Sequence, residues 1–185
     1  MRADGEYAYQ YDAEADGYCY HNSNVLINKF DIREQEALTV AERQITALKI
    51  AEIERHPHKG SFDLKHIRAI HYFIFSDIYD WAGKIRKGDF LIKDASMFCR
   101  AMYIENYANE IYSKLKQDNF LRGFCKPEFV IKLAYYMGEI NALHPFREGN
   151  LSKAFDKLPY GKQIFIGSIP LIPLFFKGFR GYYFP

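Results

Sequence analysis

An all-α domain carrying one small β element is the fold this sequence predicts, and three observations predict it. Apolar residues recur at helical spacing in four separate stretches. The strand-like signal is confined to a short run around residues 84–94. The chain of 185 residues, 49% hydrophobic and 17% aromatic, is long enough for one sizeable core and short for two.

Residues 34–55 are rich in Glu, Ala, Leu, Lys and Arg, and Leu38, Ala41, Ile45, Leu48 and Ile53 recur close to the helical period. That predicts an amphipathic helix, which His56-Pro57 ends because the residue before proline avoids the α region. A second helix is expected from Ser61 or Asp63, both good N-cap types, to Trp81, with Leu64, Ile67, His71, Ile74 and Ile78 on one face and Gly83 as its stop. Residues 84–94, KIRKGDFLIKD, set Lys87-Gly88-Asp89 between short β-prone runs, the pattern of a small hairpin or an irregular loop. Helical patterning resumes from Ser96 to about Asp118. Pro127 then opens a last long helix with Phe129, Val130, Leu133, Met137 and Ile140 toward the core, and this helix runs into His144-Pro145. Beyond Asn150 a short helix over residues 151–158 is stopped by Pro159 and Gly161, and KQIFIGSIPLIPLFFKGFRGYYFP keeps neither the helical nor the strand period for long.

Composition removes several function classes. The 25 Lys and Arg against 23 Asp and Glu are scattered and leave a net charge of +2, which is no nucleic-acid footprint. Cys19, Cys99 and Cys125 are far apart and odd in number, so neither a disulfide framework nor a zinc knuckle is indicated, and a reducing cytoplasm is the simplest compartment. The tyrosine-rich N-terminus has no apolar h-region. The longest apolar run, 164–176, is broken by Pro170 and Pro173 and cannot span a bilayer. His56, His58, His66 and His71 lack the spacing of a zinc motif.

The chemistry concentrates in LHPFREGN, residues 143–150. Pro145 and Gly149 exclude a continuous helix, so His144, Glu148 and Asn150 sit on a turn-rich loop after a core helix. An imidazole suits the removal of a proton from a hydroxyl. Glu148 offers the hard oxygen that Mg²⁺ takes when it also holds phosphates. Gly149 and Asn150 can turn backbone N–H groups inward as an anion nest. Base, metal ligand and anion nest together describe phosphoryl or nucleotidyl transfer.

The loop resembles the signature of the Fic family of nucleotidyltransferases, His-x-Phe-x-Asp/Glu-Gly-Asn-Gly-Arg-x-x-Arg, with His144, Phe146, Glu148, Gly149 and Asn150 matching in order. The stretch FDLKHIRAIHYFIFSDIYDWAGKIR, residues 62–86, is similar to the family's preceding helix and its Trp-Ala-Gly-x-x-Arg ending, and YDAEADGYCYHNSNVLINKF to the opening of many bacterial members. Resemblance covers residues 7–150 of a single domain spanning 1–185. It implies the Fic fold, a compact helical bundle with a small β-hairpin flap beside the active-site loop. It also implies that His144 deprotonates a Tyr, Ser or Thr hydroxyl of a protein substrate, that Phe146 anchors the loop, and that Glu148 holds Mg²⁺ on the ATP phosphates bound by Gly149 and Asn150. AMP is then transferred and pyrophosphate leaves. Arg86, Lys87, Gly88, Asp89, Phe90, Leu91 and Ile92 fall in the flap, which pins an extended target segment by strand addition.

The chain departs from the pattern immediately after Asn150. Leu151 replaces glycine, and Ser152 and Phe155 stand where the family has arginines. Two lost charge-assisted hydrogen bonds, at roughly 1.5–3 kcal/mol each, predict a loss of about a hundredfold to ten-thousandfold in binding or rate. Lys153 is the nearest replacement charge. Because the motif and the helical patterning end together, a shifted reading frame is expected near codon 150, making residues 151–185 an atypical tail; Gly-Arg-x-x-Arg in another frame is the check. The family's inhibitory motif, Ser/Thr-x-x-x-Glu-Gly/Asn, is absent from the sequence, so the resemblance implies a separate antitoxin-like partner or none. Three readings follow: an adenylyltransferase weakened by the missing arginines, an inactive Fic-fold binding module or remnant, and a Doc-like phosphotransferase.

Overall fold

The computed structural model describes residues 9–10, 17–89, 91–92 and 98–147. Its elements run β1 (Tyr9–Gln10), α1 (Gln35–Arg55), α2 (Leu64–Phe75), β2 (Leu91–Ile92), α3 (Ile104–Gln117) and α4 (Lys126–Leu143). α1 packs on α2, α2 on α3 and α3 on α4. The core gathers around α2, where Ile67, Ile70, Ile74 and Phe75 are buried against Ile104, Ala108, Ile111 and Leu115 of α3 and Tyr136, Ile140 and Leu143 of α4. Tyr18, Val25 and Leu26 of the N-terminal segment close one side.

α1 forms where the pattern places it, but one of its apolar positions faces out. Leu38 and Ile53 are buried, while Leu48 is 74% exposed. At about 100° per residue, Leu48 lies well round the cylinder from the line through Leu38, Glu42, Lys49 and Ile53. That line carries tertiary contacts: Glu42 accepts a short hydrogen bond from Tyr79 Oη, and Lys49 pairs with Asp77 at 2.9 Å.

α2 begins as expected, with the Asp63 carboxylate accepting from the His66 N–H at 2.8 Å. It stops at Phe75 rather than Trp81. Ile78 and Tyr79 N–H groups both return to the Phe75 carbonyl, and the N-terminal segment takes the carbonyls beyond: Lys29 N donates to Ile78 O and Lys29 Nζ to Ser76 O, each at 2.8 Å. Turns then wind Ile78, Tyr79 and Ala82 into the core. Gly83 closes them at φ +73°, where an added Cβ would sit 2.9 Å from Tyr72 Cβ and 3.0 Å from Arg68 O.

Residues 84–89 form an irregular loop, and the strand that follows takes its partner from elsewhere in the chain. β2 pairs antiparallel with β1, Tyr9 opposite Ile92 and Gln10 opposite Leu91; Phe90 and residues 93–94 of the expected hairpin lie outside the described residues. The loop's own groups are committed: Gly88 O accepts from Arg86 Nη1 at 2.5 Å, and the Asp89 carboxylate accepts from Ala101 N–H at 2.6 Å and Arg100 Nε at 3.1 Å.

The third helix starts at Ile104, later than Ser96, because residues 98–100 are extended and Cys99 N–H donates to Ala142 O at 2.9 Å. A single 3₁₀ turn, Ala101–Tyr103, leads into it. In α4 the proline lies in the first turn as expected, and Phe129, Leu133 and Met137 pack on the core. Val130 does not, being 54% exposed. α4 keeps its buried contacts for the C-terminal half, where Tyr136, Ile140 and Leu143 meet the core and deliver the chain to His144.

Candidate active site

His144 caps the C-terminus of α4 in the left-handed conformation, φ 39° and ψ 65°, with its N–H donating to Ile140 O at 3.3 Å. A left-handed cap normally belongs to glycine or asparagine. Here the turn lifts the imidazole off the helix and lays it flat on Phe98, centroids 4.1 Å apart and planes 8° apart. The residue is 3% exposed. Burial, with the charges of Arg86 and Arg147 adding to it, pushes the imidazole down to about 3. The ring is therefore neutral throughout the physiological range, the form that accepts a proton.

Phe146, which the resemblance makes the anchor of the loop, lies two residues beyond His144. It is buried and stacks on His71 of α2 with centroids 3.8 Å apart. His71 is held in turn by Gly83 N–H, which donates to its Nδ1 at 2.8 Å, and full burial pushes its imidazole down to about 3. The motif loop, α2 and the turn at Gly83 are thus joined through one ring.

Arg86 lies in the stretch expected to form the flap, yet its side chain is 0% exposed. Its Nε donates to His144 O at 2.7 Å and its Nη2 makes a short bond to Cys99 O, while its backbone N–H donates to Pro145 O at 2.9 Å. Among the described side chains of that stretch, Lys87 and Asp89 are exposed. Asp89 is held below the usual carboxylate range by the Ala101 N–H and by Arg100. Phe90 lies outside the described residues, and Leu91 and Ile92 form β2. Glu148, Gly149, Asn150 and Lys153 also lie outside them.

Three contributors were not expected from the sequence. Phe98 supplies the floor under the His144 ring. Cys99 bonds through its main chain to both Ala142 and Arg86. Arg147 reaches back to the N-terminal segment, its guanidinium 5.9 Å from the Tyr18 ring centroid and 3.8 Å from Cys19 Sγ. Burial pushes the Cys19 thiol up against the opposing pull of Arg147. His71, on which Phe146 stacks, did carry a signal as the one polar member of an apolar helix face. Among the described residues no group of three or more His, Cys, Asp or Glu side chains is arranged to hold a metal, and no helix is long and apolar enough to cross a membrane.

The family model described as the Fic/DOC family matches residues 61–153, from the cap of α2 through the motif loop. The chain belongs to the Fic/DOC family. The Fic relatives include the protein adenylyltransferase VbhT of Bartonella schoenbuchensis, 40% identical over 141 residues that make up 76% of this chain and 29% of that protein. The probable protein adenylyltransferase Fic of Escherichia coli is 40% identical over 135 residues, 73% of this chain and 66% of its own length. This chain therefore spans under two thirds of either relative. Among solved structures, the BepC protein of Bartonella tribocorum, a VirB-translocated effector with bound AMPPNP, superposes with a TM-score of 0.69 at 20% identity, covering 86% of this chain and 94% of that one. The mostly helical fold described above is accordingly the Fic fold.

Proposed function

We infer that this chain carries a Fic-type protein adenylyltransferase site, with AMP passing from ATP to a Tyr, Ser or Thr hydroxyl of a protein substrate. The observation that carries the reading is His144, which heads the motif loop, is set by a left-handed cap at the end of α4 and is stacked on Phe98. In the step this supports, the substrate hydroxyl oxygen attacks the α-phosphorus while His144 takes the hydroxyl proton. The bond to the β-phosphoryl oxygen breaks, and pyrophosphate leaves with its electron pair.

The positive potential that Arg86 and Arg147 create around His144 suits an anionic polyphosphate. Glu148 is the residue that would hold Mg²⁺, which supplies charge neutralisation at the phosphates. Gly149 and Asn150 would bind phosphate oxygens, with Lys153 as the one added charge. Lys87 to Ile92 would meet the target segment. A cytoplasmic setting, read from the three widely spaced cysteines, and a separate antitoxin-like partner, implied by the resemblance, belong to the same reading.

Ser152 and Phe155 favour a second reading, because they replace the arginines that ordinarily neutralise the triphosphate. On that reading the fold persists as a binding module without turnover. Incubation with Mg²⁺ and α- or γ-labelled ATP, beside His144→Ala, separates the outcomes. Protein labelled only from the α position, and lost in the variant, supports adenylyl transfer. Label from γ supports a Doc-like phosphotransfer, and no label supports the inactive module.

A further inference from the structure

We propose that Arg86 is a positioning residue for His144, holding both the backbone turn that presents the imidazole and the segment that carries its aromatic floor. The proposal rests on His144 being the base. Arg86 is otherwise placed in a target-binding flap, but a guanidinium with a fully buried side chain has no face left for a target segment.

The geometry supplies the alternative role. A guanidinium has five N–H donors in one plane. At Arg86 they reach carbonyls from three separate stretches: His144 O at the end of α4, Gly88 O in the loop and Cys99 O in the extended segment before α3. The Arg86 main chain adds a fourth tie, its N–H to Pro145 O at 2.9 Å. His144 sits at positive φ without being glycine, a conformation that persists where surrounding contacts over-determine it. The contact on its carbonyl comes from a residue 58 positions earlier.

His144 lies against Phe98, and the neighbouring residue Cys99 is bonded on both sides: its N–H to Ala142 O and its carbonyl to Arg86. Arg86 thereby fixes the floor as well as the backbone. Asp89 offsets the buried charge from 3.9 Å while it caps the turn at Ala101, so the same network ties the loop to the start of α3. A lysine keeps the charge and loses the planar fork, so it does not span three carbonyls.

Acylation of histidines by diethyl pyrocarbonate, read residue by residue by mass spectrometry, tests this without requiring turnover. In the unmodified chain the exposed His21, His56 and His58 react, whereas His144 and His71 are protected. In Arg86→Ala the reactivity of His144 is expected to rise at least about tenfold, the change in an opening equilibrium that loss of one charge-assisted hydrogen bond produces. His71 stays protected, methylguanidinium restores much of the protection at His144, and Arg86→Lys leaves His144 reactive. The proposal is overturned if His144 remains protected in Arg86→Ala. It is equally overturned if His71 and His144 become reactive together, since Arg86 then supports the whole core, or if Arg86→Lys protects as well as arginine. A chain that transfers no AMP fails the base assignment through the labelled-ATP assay and leaves this readout intact.

Discussion

Lowering the pH from 7 toward 5 should destabilise this domain before its carboxylates protonate, because two histidines are buried in the neutral form. His71 is 0% and His144 3% exposed, and each imidazole is pushed down to about 3, against about 6.5 in an unfolded chain. Between those values the unfolded state binds two protons that the folded state refuses, so stability is full above about pH 6.5 and falls as the pH drops. Each refused proton costs about 1.4 kcal/mol per pH unit, so the pair costs on the order of 2.7 kcal/mol per unit. From pH 6 to pH 4.5 the sum is about 4 kcal/mol, a large part of the 5–15 kcal/mol of an ordinary domain. Buried His66, also held down, works in the same direction, and Glu42, whose carboxyl is pushed up by burial, works against it. The assay is urea denaturation followed by helical circular dichroism at pH 7, 6, 5.5 and 5. His71→Gln keeps an acceptor for Gly83 N–H and removes one titration, so its slope should be about half. A flat profile between pH 6 and 5, or an unchanged slope in the variant, would refute the reasoning.

Other outcomes follow from the same contacts. Phe146→Ala should cost about 3–5 kcal/mol and lower the thermal midpoint, since it empties a buried site stacked on His71. Asp63→Ala removes the N-cap of α2 and should cost about 1 kcal/mol by urea midpoint, with the loss vanishing as pH falls through the depressed carboxyl value. His144→Ala should lower AMP transfer by about a hundredfold to ten-thousandfold while calorimetry finds nucleotide affinity unchanged. Replacing Leu151→Gly, Ser152→Arg and Phe155→Arg together should raise ATP affinity or transfer rate by at least about a hundredfold; no gain would mean that the tail, and not the missing charge, limits the site.

The helices were legible wherever a local signal and a local contact coincide. Asp63 caps α2 through its own neighbour, and Pro127 opens α4 within its first turn. Their ends were legible only in part, because tertiary partners decide them: Lys29 takes the carbonyls that would have continued α2, and Cys99 is drawn to Ala142 before α3 can begin. Leu48 and Val130 match a helical period that the packing faces do not follow. At the site, residue type pointed to His144 and the family resemblance to Phe146, and both are buried, whereas Arg86 was recognisable as a motif residue without its direction. Three carbonyls spread over 57 intervening residues leave no pattern along the chain to be read.

The pairing of β1 with β2 bears on how any extended partner would reach the loop. A two-residue strand has two edges, and Tyr9–Gln10 occupies one edge of Leu91–Ile92. A segment approaching that edge meets a rival tethered to the same chain, whose local concentration is on the order of millimolar for a short connection. A visitor at the other edge would instead extend the pair into a three-stranded ribbon with Tyr9–Gln10 at its far side. Any extended segment that paired with β2 at the occupied edge would compete with a strand of the same chain.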